Sequence, residues 1–285
     1  MALFDVLLDV TTVTVALLAV SLVLIVGVGR LRSIYRDGLR KRIAAALPYL
    51  VFLGIVLGVM GTFRRVGSDL SWVVGIEISS YILDFEGGAV ILWLQSFESS
   101  ALTAYFTGVY IYGYVYLLIF PFLAYLLASD HQPFRTLSLA YAFNYVVGIL
   151  LYVTFIAYGP RNYEHLGVAQ FLYDTWPQSQ LLTSEVNVNT NVFPSLHSSV
   201  STTIAILAVK TRDRYPRWPL IAVPLAVSVC VSTMYLAIHW ATDVVAGIGL
   251  AVIAVWFAER YYDQYVMFIE WSRDRALETY RGLRQ

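Results

Sequence analysis

Tyr235 to Gly247 reads YLAIHWATDVVAG, a short apolar stretch carrying His239 and Asp243 four residues apart. Four residues make one helical turn, so both side chains share a face, and the carboxylate can hold one imidazole nitrogen while the other stays free to react. That is the geometry of an activated histidine. Apolar runs flank the pair on both sides, which places it at the mouth of a membrane helix, where an ionisable pair is costly and usually serves a purpose.

The rest of the chain agrees with a membrane setting. Its 285 residues are 59% hydrophobic and only 13% charged, with a mean hydropathy of +0.67, far from the composition of a soluble domain. The fold class expected is all-α, a polytopic transmembrane bundle. Formal net charge is zero, and no basic tract interleaved with aromatics points to nucleic acid. The single cysteine, Cys230, lies in an apolar segment and reads as a packing residue. The first apolar run is long, contains Asp5 and Asp9 and lacks a basic leader, so it reads as an anchor rather than a cleaved signal.

Runs long enough to cross hydrocarbon occur near 6–29, 43–62, 101–128, 136–158, 194–211, 218–237 and 240–259, which predicts about seven spans. Every second connection is basic. Arg30, Arg32, Arg36, Arg40, Lys41 and Arg42 follow the first run; Arg135, then Lys210, Arg212, Arg214 and Arg217, and finally Arg260, Arg273, Arg275, Arg281 and Arg284 mark the later ones. The intervening loops hold Asp69, Glu77, Asp84, Glu86 and Glu98, then Glu164, Asp174 and Glu185. The excess of basic residues belongs in the cytoplasm, so the N-terminus is expected outside, the C-terminus in the cytoplasm and His239 on the extracytoplasmic side of the cell membrane. Arg64 and Arg65 run against this alternation.

Residues 63–100 contain two apolar stretches separated by Glu86-Gly87-Gly88, each too short to span, and read as an interfacial or re-entrant helical segment. Such an element can serve as a substrate gate or as a packing lid. The polar connection 159–193 is long for a compact domain, as functional loops often are.

That connection ends in Asn191-Val192-Phe193-Pro194-Ser195-Leu196-His197-Ser198-Ser199. Pro194 suits a first helical position, with Asn191 or Phe193 near the cap. Unpaired N–H groups at a helix start, with the positive end of its dipole, suit an anion such as phosphate. Ser195 adds a hydroxyl and His197 an imidazole in the same turn. By the alternation of loops, this helix start and His239 share one face of the membrane.

PSLHSS followed by YLAIHWATDVVAG resembles the type 2 phosphatidic acid phosphatase superfamily, whose usual motifs read PSGH and SRxxxxxHxxxD. The Leu196 variant is more similar to the branch containing inositol phosphorylceramide synthases. The resemblance covers roughly 136–260, the expected catalytic core within one membrane domain spanning 1–285, with the N-terminal helices 6–62 peripheral. It implies an enzyme that needs neither metal nor cofactor and acts on a phosphate-containing lipid. His239 is the implied nucleophile toward phosphorus, with Asp243 orienting it. His197 is the implied acid and base, and Ser195 with the backbone N–H groups near Leu196 would hold the non-bridging oxygens.

Two departures matter. The family's first motif, KxxxxxxRP, is absent, and Gly159-Pro160-Arg161 is the nearest substitute, making Arg161 the candidate phosphate clamp. Thr233 stands where the third motif carries arginine. Fewer cations suit a singly charged diester, which leans toward a head-group transferase. His131 and His165 read as bland, and Asn144 and Tyr152 as interhelical glue. A His–Asp pair one turn apart also suits a metal ion, but only four histidines are present and the ligand count is thin. A non-enzymatic channel or transporter is the remaining class, since buried polar groups serve that too.

Overall fold

In the computed structural model, which describes residues 3–177 and 192–282, the chain is an all-α bundle. Residues 178–191, which carry Glu185 and the expected cap residue Asn191, lie outside the described residues. Helix α1 (Leu3–Ser21) runs on through a π-helical turn, Leu22–Val26, and α2 (Val28–Asp37) leads into α3 (Leu39–Val74). A two-residue strand, β1 (Ile76–Glu77), precedes the short helices α4 (Ser79–Glu86) and α5 (Ala89–Gln95). Next come α6 (Ser100–Gly108), a π-helical turn at Val109–Gly113, α7 (Tyr114–Leu126) and α8 (Gln132–Thr154). The strand β2 (Phe155–Ile156) pairs in parallel with β1, and α9 (Phe171–Thr175) follows. The C-terminal part is α10 (Leu196–Lys210), α11 (Pro219–Tyr235), α12 (Ala241–Arg260) and α13 (Tyr262–Gly282).

Among the described residues, five stretches are long and apolar enough to cross a membrane: Leu3–Val26, Leu39–Arg64, Ser100–Leu126, Gln132–Thr154 and Ala241–Arg260. Helices α10 and α11, at 15 and 17 residues, are shorter. The expected segment 63–100 divides differently from the sequence reading. Residues 63–74 continue α3, because nothing breaks the helix before Gly75, whose N–H closes on the Ser71 carbonyl at 2.7 Å. Only α4 and α5 form the short hairpin, turned by Gly87 and Gly88 at φ +57° and +75°, a region that glycine enters without steric cost.

Helices α8, α10 and α12 pack on one another, α11 packs against α10, α3 lies along α8, and α7 closes against α10. Apolar residues of these helices form a continuous core that includes Phe120, Leu137, Ile204, Trp218 and Val229. Polar side chains tie the helices together where no water is present to satisfy them. Asn144, as read from the sequence, is such a link: its Nδ2 donates to the Ala140 carbonyl at 2.8 Å and to Thr203 Oγ1 at 3.1 Å, and its Oδ1 accepts from Ser199. Helix α13 starts anew after Tyr261 and is more than a solvated tail, since Tyr265 and Ile269 are buried and the Tyr265 hydroxyl bonds Ser138 at 3.0 Å.

The connections at one end carry the arginines. Arg42 reaches the Ala128 carbonyl, Arg214 pairs with Asp130, Arg30 lies over the Tyr215 ring and Arg217 donates to the Leu24 carbonyl. The starts of α10 and α12 lie at the opposite end.

Candidate active site

Helix α10 begins two residues later than its proline suggests. Ser195 is the N-cap, its Oγ accepting from the Ser198 N–H at 3.2 Å and from the Ser198 hydroxyl at 3.0 Å, and Leu196 is the first helical residue. A serine that accepts from the N3 position satisfies an orphan donor, and this outweighs the preference of Pro194 for the first turn. The Ser195 N–H donates to the Asp243 carbonyl at 3.0 Å, so the two motifs are joined through the main chain. Close approach depends on Gly247, where a Cβ would stand 2.4 Å from the Ser195 carbonyl oxygen. Leu196 fills a notch on α8, where a Cβ at Gly148 would meet its Cδ2 at 2.4 Å.

The turn between α11 and α12 holds His239. The Thr233 carbonyl accepts both the Ile238 N–H at 2.9 Å and the His239 N–H at 3.0 Å, and Ala237 adopts φ +54° between them. Non-glycine residues seldom take this conformation, and functional sites are one place where they do. The loop after β2 is pressed against the turn. Arg161 N–H donates to the Ala237 carbonyl at 3.2 Å, and a Cβ on Gly159 would lie 2.4 Å from the Ile238 oxygen.

His239 Nδ1 faces Asp243 Oδ2 at 3.4 Å, and the same oxygen accepts the Trp240 N–H at 2.8 Å. The 3.4 Å approach lacks hydrogen-bond geometry, which leaves His239 Nδ1 and Asp243 Oδ1 without a hydrogen-bond partner and buried. His239 is 3% exposed and Asp243 fully enclosed. Burial holds the His239 imidazole well below its ordinary proton affinity; the Val192 carbonyl opposes this and the Arg161 charge adds to it. A neutral imidazole keeps a lone pair available.

The His197 ring faces the His239 ring with centroids 5.8 Å apart and planes at 59°. Tyr110 and Tyr114 hold His197 between them, at 4.9 and 4.5 Å from its centroid. Neither tyrosine was singled out from sequence, although four-residue spacing in an apolar helix places both on nearby faces. The π-helical turn at Val109–Gly113, which contains Tyr110 and ends just before Tyr114, is a feature often found at functional sites.

Arg161 lies close to the turn that holds His239, its Nη1 donating to the Tyr173 hydroxyl at 2.7 Å. Tyr152, read as glue, comes to the Leu196 backbone. Thr233, in place of the arginine, turns its hydroxyl back to the Cys230 carbonyl at 2.8 Å. His165 pairs with Tyr163 at 5.8 Å, and His131, at the arginine-rich end, has its proton affinity lowered by burial and by Arg135 and Arg42, against Asp130. A second carboxylate does arrive from afar: Glu86 accepts the Ala241 N–H at 3.0 Å and the Thr242 N–H at the start of α12. Among the described residues no three His, Cys, Asp or Glu side chains converge as a metal-holding set.

A helical membrane bundle that brings a carboxylate-backed histidine against a second histidine at a helix start defines the class of protein. The PAP2 superfamily profile matches residues 81–257, more than half of the chain, and the chain belongs to that superfamily. The matched region begins in α4 and so includes the hairpin. No curated protein and no solved structure matches the chain. Family and fold together support a phosphatase-type membrane enzyme.

Proposed function

We propose that the protein cleaves or transfers a phosphate-bearing group of a lipid at the extracytoplasmic face, through a phosphohistidine on His239. The observation that carries this is the line Asp243, His239, His197, with 3.4 Å from Oδ2 to Nδ1 and 5.8 Å between the two rings. In the first half-reaction the free imidazole nitrogen of His239 attacks phosphorus, the bond from phosphorus to the leaving oxygen breaks, and His197 gives that oxygen a proton. In the second, His197 takes a proton from water or an alcohol, whose oxygen attacks phosphorus and breaks the P–N bond. Asp243 keeps Nδ1 protonated and the ring oriented. The N–H groups at the start of α10, the Ser195 hydroxyl and Arg161 hold the non-bridging oxygens.

The gathering of Arg30, Arg42, Arg214 and Arg217 at the end away from His239 supports the proposed sidedness, with that end cytoplasmic. A head-group transferase related to inositol phosphorylceramide synthases is the second reading, favoured by Thr233 standing where the family's arginine would be and by the enclosure of His197 between two tyrosine rings. The α4–α5 hairpin speaks against a pore lining. It is stitched to the catalytic turn through Glu86 and Gln95, with Tyr81, Phe85 and Trp93 facing outward.

The test is incubation of the purified protein with a panel of phospholipids, with and without polyols or other alcohols, while free phosphate and new lipid are both followed. Release of phosphate or formation of a new head group that disappears in His239→Ala supports the proposal. Turnover that survives this substitution sinks it.

A further inference from the structure

Glu86 ends α4, and its carboxylate spans to the first two helical residues of α12, Ala241 and Thr242. Those N–H groups are the positive end of the α12 dipole and would otherwise suit an anion. Two helix starts therefore meet beside His239, and a side chain already occupies one of them. The carboxylate is half-buried and close enough to Asp243 for the two charges to repel. Bonded to two backbone groups, it is also fixed in place. The nearby cation, Arg161, already donates to the Tyr173 hydroxyl.

We propose that Glu86 sets the charge of the phosphate group this site accepts, favouring a phosphodiester with one negative charge over a phosphate monoester with two. This rests on the reading of His239 as the nucleophile toward phosphorus. A fixed carboxylate in a partly buried setting is weakly screened, so each further negative charge on the substrate meets the same repulsion again. The monoester meets it twice and the diester once. Glu86 acts here through the field it imposes and through its hold on the start of α12; it is a positioning and selecting residue, and the bond changes belong to the histidines.

The experiment compares two lipids in detergent micelles, a diacylglycerol phosphate and its methyl diester, which differ by one methyl group and one charge. The assay runs at a pH of about 8, above the second phosphate ionisation near 6. The wild-type protein is expected to prefer the diester. Glu86→Gln keeps the length and one acceptor oxygen but removes the charge, and should shift the kcat/KM ratio toward the monoester by about tenfold. Glu86→Asp, which keeps the charge, and Asp84→Asn, which removes an exposed charge from the same helix, should leave that ratio near the wild-type value. If Glu86→Gln lowers both substrates equally, or if Asp84→Asn shifts the ratio as much, Glu86 does not select charge. Either result with His239→Ala inactive overturns this proposal alone, whereas turnover persisting in His239→Ala overturns the reading beneath it as well.

Discussion

The Ser195 N–H is bonded to the Asp243 carbonyl at 3.0 Å, so the start of one helix sets the position of the next. Asp243 thereby serves three partners: Ser195 through its carbonyl, and the Trp240 N–H and His239 through its carboxylate. Position and chemistry of the two motifs are coupled at one residue. Gly247, one turn further along α12, keeps the helices close enough for this bond. Gly247→Ala would put a Cβ 2.4 Å from the Ser195 carbonyl oxygen, and since the obstacle is backbone, the helices must part. A displacement of about 1 Å at a reacting pair can cost on the order of 10²-fold in rate. A drop of that size in kcat, with the protein still monodisperse in detergent, is the expected outcome; unchanged kcat would mean that the contact does not set the distance between the histidines.

Asp243→Asn separates orientation from binding. The amide oxygen can still accept from the Trp240 N–H, preserving the start of α12, but it no longer stabilises a charged imidazole. We expect kcat to fall by roughly 10²- to 10⁴-fold, the range typical of a lost acid–base partner, with KM for the lipid nearly unchanged. A KM increase at constant kcat would instead place Asp243 in substrate binding.

The two histidines should differ when the leaving group is changed. With an activated aryl phosphodiester, which departs without a proton, His197→Ala should still acquire label on His239 and then release it slowly, because general-base help is needed only for the second step. His239→Ala should acquire none. Label found on any other residue in the His239→Ala protein would move the nucleophile elsewhere.

Which of these residues the sequence disclosed follows from how local each signal is. The His239–Asp243 pair and the start of α10 are written in spacings of four residues or fewer, but His239 stands in the turn before α12 and not on its helical face, so the capping of that helix start by Asp243, and not the helix period, brings the two side chains together. Glu86 reaches Ala241 across the fold, and no local pattern announces that contact. Tyr110 and Tyr114 flank His197 from within and just after a π-helical turn, and while their four-residue spacing puts them on nearby faces, it does not name the histidine of another helix that they meet. The end of α3 lies beyond the expected one for a related reason: hydrophobicity falls off near Arg64 and suggests a stop, yet the helix persists to Val74 because Gly67 and Gly75 let it lie against Val153 and Ile156. The capping role of Ser195 was open in the sequence beside a phosphate-binding one, and the bonds from Ser198 favour the cap while leaving its own hydroxyl proton to donate.

Arg161 offers a test of phosphate binding. Its backbone is pinned to Ala237 and its guanidinium to Tyr173, so the charge is held near the turn that carries His239. A charge-assisted hydrogen bond contributes about 1.5–3 kcal/mol, and Arg161→Ala should raise the inhibition constant for vanadate by roughly ten- to hundredfold. Tyr173→Phe frees the guanidinium without removing it and should have a smaller effect. An Arg161→Ala protein that binds vanadate like the wild type would leave this arginine as an anchor for the loop. In the wild type, vanadate should inhibit while a chelator leaves turnover unchanged; the reverse pair of results would favour a metal on His239 and Asp243.

Gln95 ties the hairpin to the catalytic helices. Its Nε2 donates to the Ala169 and Tyr235 carbonyls, both at 2.9 Å, and its Oε1 accepts the Ala169 N–H at 2.9 Å. One side chain therefore links α5, the loop before α9 and the C-terminal end of α11. Truncation to alanine leaves a buried carbonyl unsatisfied, at a cost of about 1–3 kcal/mol. We expect Gln95→Ala to lower the melting temperature and to speed backbone hydrogen exchange in α4 and α5 well before it does so in α8 or α10. If the hairpin guards substrate entry, KM for the lipid should change while the single-turnover rate of a bound, labelled substrate does not. A uniform rise in exchange across the bundle would instead make Gln95 a general stability residue and the hairpin an ordinary part of the core.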